Sequence, residues 1–332
     1  MQNITNAFNF LTRSRSFFVF TCIVLLMLIL STIFSRVEYI MHVIIITLWY
    51  MYLTTSWAIF CGQVGQVSLG HSTFVGIGAY GVVLLYKYYG FPPLIGMFIS
   101  VLVATLIATG IGIPTFKYGV KGPYFIFTTL ALSQILYSLA VTYREYTGGE
   151  LGITLPYIDE SPLYLIFRSK LPYFYILLFL WIAVSIFLYK LQRSRIGYYL
   201  YAIRDDEDAA EAIGINTFKY KLLMFITSAA LTSIAGSLYA VYFLVVTPIS
   251  VFGMQLSFNI ATLSFIGGWR SWIGPSISPL FVVPLWEVTR IYFGATAAPI
   301  ALLIYGVLLI ILSFTMPYGI SKYIFKGQDE VK

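Results

Sequence analysis

Long, uninterrupted apolar runs dominate this chain. The stretch 17–34, FFVFTCIVLLMLILSTIF, carries no charge and shows no alternation of apolar with polar positions. A membrane β-strand would alternate with period two over about ten residues. Continuous runs approaching the roughly 20 residues that cross a bilayer predict helices instead. Spans are expected over 17–35, 39–60, 72–89, 92–114, 122–143, 172–190, 219–244, 256–268, 276–293 and 298–316. The eighth is short for a crossing and reads as a half-helix; merging the pieces near 256–293 gives an eight-span alternative. Pro92, Pro93, Pro123, Pro172 and Pro275 fall at helix starts, where a missing N–H leaves no intrahelical bond unmade. The expected fold class is therefore all-α: a polytopic transmembrane helical bundle of about ten (8–10) spans, forming a single domain over 1–332.

Composition agrees. Of 332 residues, 59% are hydrophobic and 10% are charged, against about 25% charged in soluble domains. The net charge of +7 reads as Lys and Arg held on the cytoplasmic side rather than as a nucleic-acid footprint. Arg13 and Arg15, the Lys190–Lys221 region, and Lys322, Lys326 and Lys332 all fall inside under the positive-inside rule. Both termini are then cytoplasmic, with Lys117 and Lys121 inside and 144–171 outside. Arg13 and Arg15 ahead of an apolar run resemble a signal peptide, but no small-residue cleavage site follows the run, so a retained first helix is expected. Cys22 and Cys61 sit in apolar runs and read as small buried residues.

The longest polar stretch is 191–221, LQRSRIGYYLYAIRDDEDAAEAIGINTFKYK. Asp205 is expected to cap a short helix whose first turn holds Asp206, Glu207 and Asp208, where acids complement the positive helix end. Ala209, Ala210, Ala212 and Ile213 continue it, and Gly214 occupies a left-handed C-terminal position. Asn216 or Thr217 caps the next helix. The segment is either a solvated turn or a rigid docking element for a cytoplasmic partner.

A second region, 62–81, reads GQVGQVSLGHSTFVGIGAYG, with glycines at 62, 65, 70, 76, 78 and 81. Gln63, Gln66, Ser68, His71, Ser72 and Thr73 are polar at membrane depth, where such groups are costly and are retained for function. One reading is close helix packing through glycine. The other is a broken helix lining a solute path, and the density of polar groups favours it. His71 has no partner at metal-ligand spacing and reads as a packing or path-lining residue. The ladders Ser228, Thr232, Gly236, Ala240 and Ala229, Ser233, Ser237, like Ala104, Ala108, Gly112, predict close helix contacts. Glu287 and Arg290 are spaced to pair on one helix.

Several of these segments resemble the LivM-type permease subunits of branched-chain amino acid ABC transporters. The resemblance rests on the run Arg204–Lys221, on Gly62, Gly65, Gln66, Ser68, Leu69, Gly70, His71, Phe74, Gly78, Ala79 and Tyr80, on Gly122-Pro123-Tyr124-Phe125 with Thr128-Thr129-Leu130-Ala131, on Thr147–Gly152, and on Ile266–Pro275. Glu150 and Arg270 depart from the family pattern. The resemblance implies an ATPase-coupling segment containing Arg204, Asp205, Asp206, Glu207, Ala209, Ala210, Glu211 and Gly214, with Glu207, Ala209, Ala210, Glu211 and Gly214 on the surface that enters the ATPase. It implies a substrate path that includes Gln63, Gly65, Gln66, Ser68, Gly70, His71, Thr128 and Thr129. The implied partners are a homologous LivH-like permease, two cytoplasmic ATPases that bind ATP and Mg²⁺, an extracytoplasmic solute-binding protein and the lipid bilayer of the inner membrane. The implied solute is a branched-chain amino acid, with urea or a short amide as the alternative.

No G-x-x-x-x-G-K-[ST], G-x-S-x-G, H-E-x-x-H or C-x-x-C pattern occurs, so no catalytic residue, resident cofactor or metal is expected. The alternative from another class is an ATPase-independent channel or ion-coupled carrier; a carrier would place acids near mid-membrane, and this chain has almost none there. A membrane enzyme is the remaining class; it predicts turnover by the isolated chain. Removing both Glu207 and Glu211 side chains is expected to lower transport and leave folding intact.

Overall fold

A computed structural model of the chain describes residues 2–156, 163–293, 306–307 and 319–324. The principal helices are α1 (Gln2–Ile33), α2 (Glu38–Val64), α3 (His71–Tyr89), α4 (Pro93–Lys117), α5 (Pro123–Thr142), α6 (Arg144–Thr147) and α7 (Leu171–Gln192). They continue with α8 (Arg195–Asp205), α9 (Glu207–Ala212), α10 (Thr217–Phe243), α11 (Pro248–Phe252), α12 (Met254–Gly267) and α13 (Gly274–Phe293). Two short strands, β1 (Ile153–Thr154) and β2 (Val245–Val246), pair antiparallel with Ile153 opposite Val246. The architecture is all-α. Each of the first nine expected spans contains a helix; the tenth, 298–316, lies outside the described residues apart from 306–307. Among the described residues, seven helical stretches are long and apolar enough to cross a membrane. Helix α3 is not among them, because it opens on His71-Ser72-Thr73 and closes near Lys87.

Two expectations change, and one element is new. The eighth span is longer than a half-helix: α11 and α12 together form a 20-residue apolar stretch, Pro248–Gly267, interrupted at Gly253. The 191–221 segment holds two helices, not one. The glycine-rich 147–152 turn leads into a strand pair that apolar patterning did not suggest.

The chain forms two compact units, Met1–Thr55 with Ser169–Ile186 and Thr262–Lys332, and Ser56–Arg168 with Phe187–Ala261. In the first, Phe20, Trp181 and Trp272 make a ring cluster with centroids 5.3 and 5.4 Å from Phe20. The Thr55 hydroxyl lies 3.0 Å from that of Ser276, which accepts from Trp181 Nε1 at 2.8 Å. Arg290 and Glu287 form the expected pair at 3.6 Å.

The second unit is built on α3, α4 and α10. The small-residue ladders do what their spacing predicts: a Cβ on Gly78 would collide with the Ser233 carbonyl oxygen, and one on Gly236 with that of Val75. Gly112 of α4 leaves room for Leu222 of α10, whose Cδ1 lies 2.6 Å from where its Cβ would stand. Phe60, Phe74, Phe116 and Phe125 gather around Phe225, with centroids 5.0 to 6.0 Å away.

Candidate functional site

The site lies within the second unit, where two segments far apart in sequence meet. The first is the break between α2 and α3. Helix α2 ends as the Gly65 N–H closes onto the Cys61 carbonyl at 3.0 Å, and Gly65 then turns left-handed at φ +82°. Non-glycine residues rarely adopt that conformation. The extended residues that follow are anchored from outside. Trp57 Nε1 donates to the Ser68 carbonyl at 2.9 Å, and the Leu69 N–H donates to the Thr129 hydroxyl at 3.2 Å. Gly70 packs so closely on α5 that its Cβ would lie 2.5 Å from the Thr129 carbonyl oxygen.

His71 opens α3 and is fully enclosed. Its Nε2 lies 2.8 Å from the Ser228 hydroxyl, which itself donates to the Ser56 carbonyl at 2.7 Å. That hydroxyl proton is committed to Ser56, so Ser228 accepts from His71 and Nε2 carries the ring proton. Nδ1 is left as a buried acceptor without a partner. Gln63 Nε2, a donor, and Gln66 Oε1, Thr73 Oγ1 and Ser233 Oγ are likewise buried with no partner. Buried polar atoms are normally satisfied, and leaving one unmade costs about 1–3 kcal/mol. These atoms lie along the α2–α3 break and on the facing helix α10. Of the two threonines expected on the path, Thr129 reaches the break. Thr128 is half-buried and bonds its own helix at the Tyr124 carbonyl, 2.8 Å away.

The second segment is α8–α9. Ser194 caps α8 by accepting from the Gly197 N–H at 3.2 Å. The polar sequence concealed this helix, although Gly197, Leu200 and Ile203 mark a buried stripe that helical spacing could have revealed. Asp206, not Asp205, caps α9: its Oδ1 accepts from the N–H groups of Asp208 and Ala209, each at 3.0 Å. Asp205 is instead the last residue of α8. The reason is that α8 runs on to Asp205 and leaves Asp206 extended, at φ −154°. Gly214 is left-handed at φ +88°, and the Asn216 carboxamide caps α10 through the Lys219 N–H at 2.9 Å, both as expected. Asp206→Ala is expected to cost about 1 kcal/mol of helix stability and to raise hydrogen exchange across 207–212, while Asp206→Asn leaves exchange close to wild type.

The acidic residues divide by direction. Glu207 turns inward and pairs with Lys221, whose ammonium is 1% exposed and lies 5.4 Å from the Phe116 ring centroid. Lys121 bridges Glu207 at 3.3 Å and Asp208 at 3.1 Å. Glu211 accepts from the Thr217 hydroxyl and Ala210 is buried. The outward face consists of Asp205, Asp206, Asp208, Ala209, Glu211, Ala212, Ile213 and Gly214, with Ile213 75% exposed. Sequence reasoning expects Glu207 and Ala210 on a docking surface; here Ala210 is buried and Glu207 turns inward to Lys221, while Ile213 is exposed beside them. Removing the Glu207 side chain would strand a buried ammonium, so folding would not stay intact in that variant.

Hydrogen bonding to Asp208, and then the charge and bonding of Glu207, raise Lys121 above its ordinary pKa of 10.5. A raised lysine contributes stability that is complete below its unfolded pKa and is lost only as pH climbs through the folded value. This clasp therefore holds throughout the neutral range.

The two segments touch at the end of α2, where Arg204 Nη1 donates to the Gly62 carbonyl at 3.4 Å. Beside this contact, the carboxamide of Gln192 at the end of α7 donates to Gln63 Oε1 at 3.2 Å.

Residues 39–313 match the family model described as branched-chain amino acid transport system / permease component. The chain is 25% identical over 303 residues to the high-affinity branched-chain amino acid transport system permease protein LivM of Escherichia coli K12, covering 83% of this chain and 68% of that protein. It is 26% identical over 257 residues to the probable permease protein LivH of Methanocaldococcus jannaschii, covering 74% of this chain and 79% of the relative. The probable LivM protein of that archaeon is 23% identical over 248 residues, 69% of this chain and 70% of the relative. No solved structure matches.

Proposed function

The chain belongs to the permease-component family of branched-chain amino acid transport systems, and from that premise we propose a complete working assembly for it. It is a multi-pass membrane permease, and its relatives are transport permeases rather than enzymes. In the proposed assembly it pairs with a LivH-like permease. Two cytoplasmic ATPases supply ATP and Mg²⁺ binding, and an external binding protein delivers a branched-chain amino acid. Ten crossings place both termini and the 191–221 segment in the cytoplasm, following the positive-inside rule.

The observation that carries this reading is the pairing of a rigid, capped, outward-facing helix α9 with a broken helix rich in unsatisfied buried polar atoms. The first is suited to receive a push from a motor. The second is suited to line a polar solute's route, because non-helical backbone at membrane depth persists where it faces protein or a watery cavity. Urea or short amides remain the second reading for the solute, since carboxamides such as Gln63 and Gln66 recognise amides as well as carboxylates.

Co-purification of the chain from its native membrane, followed by mass spectrometry, should recover an ATPase and a binding protein, and ligand screening of the latter should return leucine, isoleucine or valine. Recovery of neither protein, with solute flux through the isolated chain in liposomes, would sink the assembly in favour of a channel or carrier. Ile213→Glu is expected to lower ATPase capture about tenfold, as loss of one exposed apolar anchor does, without changing thermal stability. Unchanged capture would remove Ile213 from the docking face.

A further inference from the structure

The sequence groups Arg204 with the ATPase-docking residues, yet its side chain is 83% enclosed. Nε lies 3.8 Å from Asp205 and the guanidinium 4.9 Å from the Tyr201 ring centroid, while Nη1 is directed at the carboxyl end of α2. The last carbonyls of a helix lack intrahelical partners and carry the negative end of its dipole. Gly62 belongs to that last turn, and its carbonyl receives the Arg204 guanidinium at 3.4 Å. The stem of Arg204 rests on the turn itself: a Cβ at Gly65 would stand 2.6 Å from Arg204 Cγ. Glycine at this position therefore provides both a left-handed backbone and the space the arginine occupies. Beside it, Gln192 at the end of α7 holds Gln63.

At its other end, Arg204 sits in the last turn of α8, two residues before the Asp206 cap of α9. Leu200 and Ile203 bury the inner face of α8, so α8 is seated rather than loose. Beyond Gly65, the break is fixed on its far side by Trp57 and Thr129. A displacement of α9 can reach the near side of the break through the Arg204 guanidinium, while the far side is held; Glu207 separately ties α9 to Lys221 of α10.

We propose that Arg204 is a positioning residue that links the ATPase-docking helix to the broken end of α2, so that movement of α9 reaches the solute path through the Gly62–Gly65 turn. This inference rests on the permease assembly proposed above. It distinguishes Arg204 from the docking surface: its loss should leave hydrolysis running and uncouple it from transport.

The test uses the whole transporter in proteoliposomes, the chain with its partner permease, ATPases and binding protein, with leucine as the probe. Leucine uptake and ATP hydrolysis are measured on the same vesicles. Arg204→Met keeps the stem over Gly65 and removes the charge. Its ratio of leucine moved to ATP hydrolysed should fall about tenfold, a typical coupling magnitude, with hydrolysis within about twofold of wild type. Arg204→Lys restores a cation at the helix end and should recover part of the ratio. Uptake and hydrolysis falling in parallel in the methionine variant would make Arg204 a docking or assembly residue and overturn the proposal. So would an unchanged ratio, or a lysine variant no better coupled than the methionine one. Wild-type vesicles that hydrolyse ATP without moving leucine would instead count against the assembly or its solute, and so separate the two failures.

Discussion

Lys221→Met is expected to destabilise the 204–221 region by about 3–5 kcal/mol, the usual cost of removing one partner from a buried ion pair. The ammonium is almost wholly enclosed and is held by Glu207 and the Phe116 ring. Its removal leaves the Glu207 carboxylate with Lys121 alone, at 3.3 Å and half exposed. Limited proteolysis should then cut between 204 and 216 before any other site, and the apparent melting temperature in detergent should fall. The double variant Lys221→Met, Glu207→Gln should recover much of the loss, because replacing both charges removes the stranded partner. A single variant as stable as wild type would show that the pair contributes nothing and that α9 is held by its cap, Ala210, the Lys121 clasp and the Glu211–Thr217 bond.

Gly236→Ala is expected to be damaging out of proportion to one methyl group. The added carbon would enter the Val75 carbonyl oxygen on α3, a backbone atom that cannot rotate away. Helices α3 and α10 must then separate, opening the contacts that Gly78 makes from the other side at Ser233. Overpacking of this kind costs about 1–3 kcal/mol, occasionally more. Since α3 carries His71 and α10 carries Ser228, the same shift would break their hydrogen bond. The control is Gly110→Ala on α4, where nothing lies within 4 Å. That change should be neutral or stabilise by up to about 1 kcal/mol through helix propensity. Comparable losses in both variants would show that the effect is one of glycine content rather than of the α3–α10 contact.

The nine helices matching expected spans were legible because a lipid-crossing segment can satisfy its backbone only as a helix or in a closed barrel, and continuous rather than alternating apolar runs select the helix. The α9 cap region was legible to within one residue, since Asp, Gly214 and Asn216 act on neighbours a few positions away. The misassignment of Asp205 arose because whether α8 extends to that residue depends on Leu200 and Ile203 being buried, which the polar string of 191–221 does not advertise. The strand pair Ile153–Val246 was invisible for a similar reason: its two halves are two residues long and some ninety positions apart.

The direction of each polar side chain was a different matter. Residue types fixed the membrane class, the helix ends and the small-residue faces, because those depend on local spacing and on lipid as a solvent. Only tertiary packing decided that Glu207 faces Lys221 rather than a partner, that Thr129 and not Thr128 reaches the break, and that Arg204 reaches Gly62 across 142 positions. Those outcomes depend on where an enclosed charge finds its counterpart, and pairing in an interior of low dielectric is set by distances that no local pattern encodes.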